Sequence, residues 1–128
     1  MVTVEQLTPI MRAAWGPDTC EPNAIPEWGP HNPARAQCGV TALVVQDLVG
    51  GDLIHGEVHV NGTKDGNHYW NRLPDGTEID LTADQFHPGE EVVGGQVVVR
   101  PPDGPRRLRE QYTLLRERVF AALAEPAN

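Results

Sequence analysis

The sequence has no apolar run near the roughly 18 residues that a membrane-spanning helix requires, so membrane insertion is not expected. It also lacks a cationic start followed by an apolar block. The opening MVTVEQLTPIMRAAW predicts no signal peptide, and the cytoplasm is the expected location. Basic charge is scarce: 10 Lys and Arg against 18 Asp and Glu leave a net charge of -8. That balance argues against nucleic acid and anionic membranes as partners. Five of the ten basic residues are arginines between Arg106 and Arg118, so the remainder of the chain is more acidic still and mildly favours neutral or cationic substrates. Cysteine is nearly absent. Cys20 and Cys38 are the only two, and a standing disulfide is not expected in a reducing cytosol. Neither internal repeats nor low-complexity segments occur.

What is present suits one domain over residues 1–128 with a single core. Hydrophobic residues make up 39% of the chain, and 13 Gly with 12 Pro promise many loops. Residues 3–14 predict a short helix, with Thr3 as N-cap and Leu7, Ile10, Met11 and Ala14 on one face. Pro9 weakens that helix or moves its start. Residues 15–36 hold five prolines and two tryptophans and predict an ordered loop. Residues 38–49 predict a helix that is apolar nearly all round, stopped by Gly50-Gly51. Residues 52–63 alternate as a strand ending at Asn61-Gly62, and 68–86 read as a hairpin. Residues 94–100 predict another strand and 105–124 a closing helix striped with Leu108, Tyr112, Leu115, Val119 and Ala122. Helices flanking antiparallel strands make the expected class α+β.

Cys38 opens the most apolar helix. Unpaired N–H groups and the positive end of the helix dipole favour a thiolate there, and the thiolate is the nucleophile. The same N–H groups suit a developing oxyanion. The competing reading is a small buried hydrophobe. The hairpin weighs against it. A three-residue PDG loop pairs Leu73 with Thr77, so paired numbers sum to 150 and His68 faces Thr82. His68, Trp70, Arg72, Glu78, Asp80 and Thr82 then share a polar face, while Tyr69, Leu73, Ile79 and Leu81 share the apolar one. His68 and Asp80 become diagonal neighbours, close enough for the carboxylate to orient the imidazole, with Trp70 shielding the bond from water. Asp84, of the same parity, is the substitute orienter if the register slips. Trp15, Trp28 and His31 are expected to wall a substrate cleft.

The stretches NPARAQCGVTALVVQDLVGGDL and NHYWNRLPDGTEIDLTADQF resemble the YunG-like family of small bacterial proteins, over about Trp15 to Phe86. The order Cys, His, Asp is similar to papain-like and transglutaminase-like enzymes. That resemblance implies a papain-like core with a central helix starting at the cysteine on an antiparallel sheet. Matched position by position, it implies Cys38 as nucleophile, His68 as base and Asp80 as orienter. Papain-like enzymes place an oxyanion-hole glutamine several residues before the cysteine, where this chain has Asn32 or Pro33. Gln37, or backbone N–H groups near Cys38 such as that of Gly39, are the candidate donors, with Trp70 and Trp28 toward substrate. The expected function is cysteine-dependent acyl transfer from an amide, thioester or ester of a small molecule or peptide, to water or an amine, without cofactor. Two alternatives remain: a non-catalytic binding or regulatory module, and a Cys/His metal site using His55 and His59 of HGEVH.

Overall fold

A computed structural model describes residues 2–102, 105 and 107–125. Three helices and four strands follow the order α1 (Val4–Ala14), α2 (Cys38–Val49), β1 (Asp52–Val60), β2 (Thr63–Arg72), β3 (Glu78–Ile79), β4 (Glu90–Val98) and α3 (Arg109–Ala124). The strands form one antiparallel sheet of order β3-β2-β1-β4. The fold class is therefore α+β.

Helix α1 begins as its sequence demands. Thr3 Oγ1 accepts from the Gln6 N–H, and Gln6 Oε1 accepts from the Thr3 N–H, a reciprocal capping box. Pro9 neither moves nor ends the helix, contrary to the sequence expectation. The cap and the burial of Leu7, Met11 and Ala14 outweigh the one backbone bond proline cannot donate. Between α1 and α2 the proline-rich loop is ordered and carries two short 3-10 turns, Pro17–Thr19 and Pro22–Glu27. Leu7 and Met11 meet Val40, Val44 and Val45 of α2 and Leu115 and Val119 of α3 in one buried cluster. Helix α3 starts four residues later than the sequence suggests, because Leu108 takes a left-handed conformation, φ 58°. A left-handed residue is incompatible with continuing a right-handed helix backward.

The sheet sits beside this helical layer. Leu53 pairs with Asn71 and His55 with Tyr69, so these side chains share one face. Asn71 Nδ2 donates to the Ala42 carbonyl, which docks that face on α2. On the opposite face lie Ile54, Gly56, His68 and Trp70. Strand β4 begins before the Gly94-Gly95 pair that sequence patterning takes as its start. The glycines lie inside it, both at positive φ, opposite a register shift between His55 and Glu57. This is a β-bulge, which bends the strand and tightens its twist. The bulge also makes room: a Cβ on Gly95 would lie 3.0 Å from the Trp70 ring, and one on Gly56 2.9 Å from it. Trp70 thus lies in a depression that only glycine leaves open. Gly56→Val is expected to lower stability by about 1–3 kcal/mol, read from the denaturant midpoint, with loss of the Trp70 near-UV circular dichroism. An unchanged midpoint and spectrum would contradict this packing.

Candidate functional site

Cys38 is the first residue of α2 and half-buried, in the wall of a cleft of about 460 Å³. The chain enters the helix through Ala36, which is held at φ 60°. Its N–H donates to Gln85 Oε1 at 3.0 Å, and its carbonyl accepts from the Glu21 N–H at 3.1 Å. A left-handed alanine persists only where its surroundings over-determine it, so the strain next to Cys38 is held by Gln85 and Glu21. No side chain caps α2, and the Thr41 N–H bonds the Gln37 carbonyl. The N–H groups of Cys38, Gly39 and Val40 precede that bond and have no intrahelical acceptor.

His68 lies on β2 and is 1% exposed. The predicted hairpin register is observed, with Asn71 opposite Ile79 and Arg72 opposite Glu78. The pairing ends at Ile79, however, so Thr82 does not face His68 in a ladder. The chain after Ile79 curves past His68 instead. His68 Nε2–H donates to Asp80 Oδ2 at 2.5 Å. The Trp70 ring stacks on the imidazole at 5.5 Å, and Phe86 meets it edge-on at 4.8 Å. Trp70 thus covers the histidine on the face where the sequence placed it, and Phe86, which was not foreseen, closes a second side. Burial is the largest influence on the His68 pKa and pushes it down. The Asp80 hydrogen bond, the Cys38 hydrogen bond and the electrostatic attraction of both partners for the protonated ring outweigh it, and the pKa rises to about 9. Nε2 is committed to Asp80, which leaves Nδ1 as the nitrogen for proton exchange.

A polar chain behind this pair was not foreseen. Asp80 Oδ1 accepts from the Thr82 N–H and Oγ1–H, both at 3.1 Å. Thr82 Oγ1 accepts from Gln85 Nε2 at 2.9 Å. Gln85 in turn holds Ala36, so the carboxylate and the segment before Cys38 belong to one connected network. Thr82 and Gln85 are 1% and 4% exposed. The spacing Thr82-x-x-Gln85 matches a helix-start signature, and a 3-10 turn does begin there, with Thr82 at its N-cap. That signal would have ended the strand before Thr82.

Several expected roles are corrected. Gln37 is wholly buried, its Oε1 accepting from Thr19 and its Nε2 donating to the Gly16 carbonyl, so its amide points into the core rather than at a substrate. Of the oxyanion candidates, the backbone N–H groups of Cys38 and Gly39 remain. Trp28 bonds the Pro33 carbonyl and Trp15 bonds Thr41. His31 lies against Gly29. None of these three lines the Cys38 cleft, whose loop wall comes from Glu21, Asn23, Ala24, Arg35 and Ala36. Arg35 is clamped there between Glu27 at 2.8 Å and Glu90 at 2.7 Å. Asp84 pairs with Arg12, not with a histidine. His55 meets Asn67 and His59 meets Glu57. Among the described residues no three His, Cys, Asp or Glu side chains gather as a metal site, and no helix is long and apolar enough to cross a membrane.

The YunG protein family matches residues 3–124. The chain belongs to the YunG family. "Uncharacterized protein YunG" of Bacillus subtilis (strain 168) is 30% identical over 83 residues, 65% of this chain and 63% of that relative. The chain therefore aligns with under two thirds of that relative's length. No solved structure matches. The YunG match extends beyond the Trp15–Phe86 stretch that carries the sequence resemblance and takes in both terminal helices.

The raised His68 pKa has a measurable consequence in this YunG-family chain. Because the folded value lies above the ordinary 6.5, proton binding favours the folded state. That contribution is complete below about pH 6.5 and is lost as pH rises through about 9. In Asp80→Asn the His68 NMR titration midpoint is expected to fall and the alkaline loss of stability to shrink. A midpoint unmoved by that substitution would contradict the assigned pair.

Proposed function

We propose that this YunG-family protein is a cysteine-dependent acyl-transfer enzyme with a papain-like arrangement of Cys38, His68 and Asp80. One observation carries the reading: a buried imidazole that interacts with the thiol at a helix start while its Nε2–H is held by a carboxylate. A histidine packed only for structure has no need of both partners. The helix beginning at the cysteine, set against an antiparallel sheet that bears His68 and is followed directly by Asp80, supports the same reading.

The steps follow from the geometry. The Cys38 sulfur attacks a substrate carbonyl carbon, forming the S–C bond, and the developing oxyanion lies toward the Cys38 and Gly39 N–H groups. His68 delivers its proton to the leaving nitrogen, oxygen or sulfur as the bond from carbon to that atom breaks. Water or an amine then attacks the thioester and gives its proton to His68. The S–C bond breaks, and the thiolate–imidazolium pair is restored. Asp80 holds the ring in the tautomer this requires. The leaving group sits on the His68 side, beside Phe86 and Gln85.

The test is to trap the intermediate. Brief exposure to p-nitrophenyl acetate is expected to add one acetyl group, located at Cys38 by peptide mass spectrometry. His68→Ala should slow p-nitrophenol release by roughly 10²-fold or more. Acetylation elsewhere, or at a rate indifferent to His68, would defeat the proposal.

A further inference from the structure

Next to the Cys38 cleft lies a second hollow of about 310 Å³, between the outer face of α2, the ends of β1 and β4, and the segment before α3. The two share Gly39, Tyr69, Arg107 and Leu108, so they adjoin along those residues. Their chemistries differ. The cleft around Cys38 is lined by charged and amide side chains, among them Glu21, Arg35, Asp65, Asn67 and Glu90. The second hollow is walled by Val40, Leu43, Leu53, Val98, Pro101 and Leu108. The two guanidinium groups at its margin are already engaged: Arg100 with Asp47 and Tyr112, and Arg107 with Glu21. Among the described residues no other charged side chain lines it.

We infer that this hollow is the acyl pocket and that the substrate carries an unbranched aliphatic acyl group of medium length. The inference rests on the acyl-transfer reading above and deepens it. The argument is directional. The atom that leaves must be protonated by His68, so the leaving portion lies on the side of Phe86 and Gln85, within the polar cleft. The acyl portion extends the other way from the carbonyl. Once the carbonyl oxygen is set toward the Cys38 and Gly39 N–H groups, that direction starts at Gly39, where the apolar hollow begins. Gln85 and Phe86, which line the cleft, are absent from its wall. The polar cleft then takes an amine, thiol or alcohol with hydrogen-bonding groups.

The test is a series of p-nitrophenyl esters from acetyl to decanoyl, with a binding measurement that needs no chemistry. Each methylene buried in the hollow is worth about threefold. The parent kcat/KM is therefore expected to climb at least ~10-fold from acetyl to hexanoyl, then level off when the hollow is full. Val98→Trp, which fills the hollow from β4, should abolish that climb, so that within this variant the hexanoyl ester is turned over no faster than the acetyl ester. Calorimetry on Cys38→Ala should show hexanamide binding at least ~10-fold tighter than acetamide. A flat ester series with full Cys38-dependent turnover would overturn the acyl pocket and leave acyl transfer standing. Hexanamide binding without turnover of any ester would overturn the acyl-transfer chemistry and the acyl assignment with it. Neither binding nor turnover would overturn both.

Discussion

The hydrogen bond from His68 to Asp80 is the contact on which the rest of the site depends. An imidazole 1% exposed would ordinarily be held neutral by its surroundings. Here the Asp80 carboxylate and the Cys38 sulfur reverse that tendency, and the ring favours its proton up to about pH 9. Several separate pieces of chain exist in the form they do so that this contact stays dry and aligned. Trp70 covers it, and Trp70 fits only because Gly56 and Gly95 on neighbouring strands lack side chains. Phe86 closes the other side.

The carboxylate is held as firmly as the ring. Two donors from Thr82 fix Asp80 Oδ1, and Gln85 carries the connection onward to Ala36. Ala36 lies two positions before Cys38 in a conformation that alanine seldom adopts. A movement of the thiol therefore pulls on the same hydrogen-bond chain that orients the base. Buried networks of this kind lose much when half-satisfied, which gives the loop between β3 and β4 a reason to be ordered without regular structure. On the far side of the thiol, α2 presents apolar residues toward the hollow ending at β4. A polar, hydrogen-bonded half and an apolar half thus adjoin at Gly39, the residue after the thiol.

Much of this was legible in the residues. The helix from Cys38 to Val49 has its observed bounds: its length, the Gln46-Asp47 polar patch and the Gly50-Gly51 stop favoured a helix over the strand its β-branched residues also permit. The PDG turn set the hairpin register correctly as far as Ile79, and the chain curving on from there brings Asp80 to His68. The failures share a cause. Gln37 was considered for its amide chemistry, yet its position on a tightly turned entry to the helix sends the side chain inward to Thr19 and Gly16. Trp28 and His31 lie near Cys38 in sequence, but Trp28 bonds the Pro33 carbonyl and the His31 ring lies against Gly29, both within their own loop. Gly94-Gly95 resembled a strand boundary and proved to be a bulge, whose purpose shows only once Trp70 is in place. Local periodicity reports which face a residue occupies; it does not report which distant side chain needs the space.

The central claim is that Cys38 and His68 act as one unit, and the alkylation rate of Cys38 against pH tests it most directly. Iodoacetamide labelling, followed by peptide mass spectrometry, distinguishes Cys38 from the buried Cys20. The account predicts fast labelling that is nearly flat across neutral pH in the parent, and slow labelling that rises with pH in His68→Ala. Slow labelling in the parent, with the same pH profile in both proteins, would contradict it.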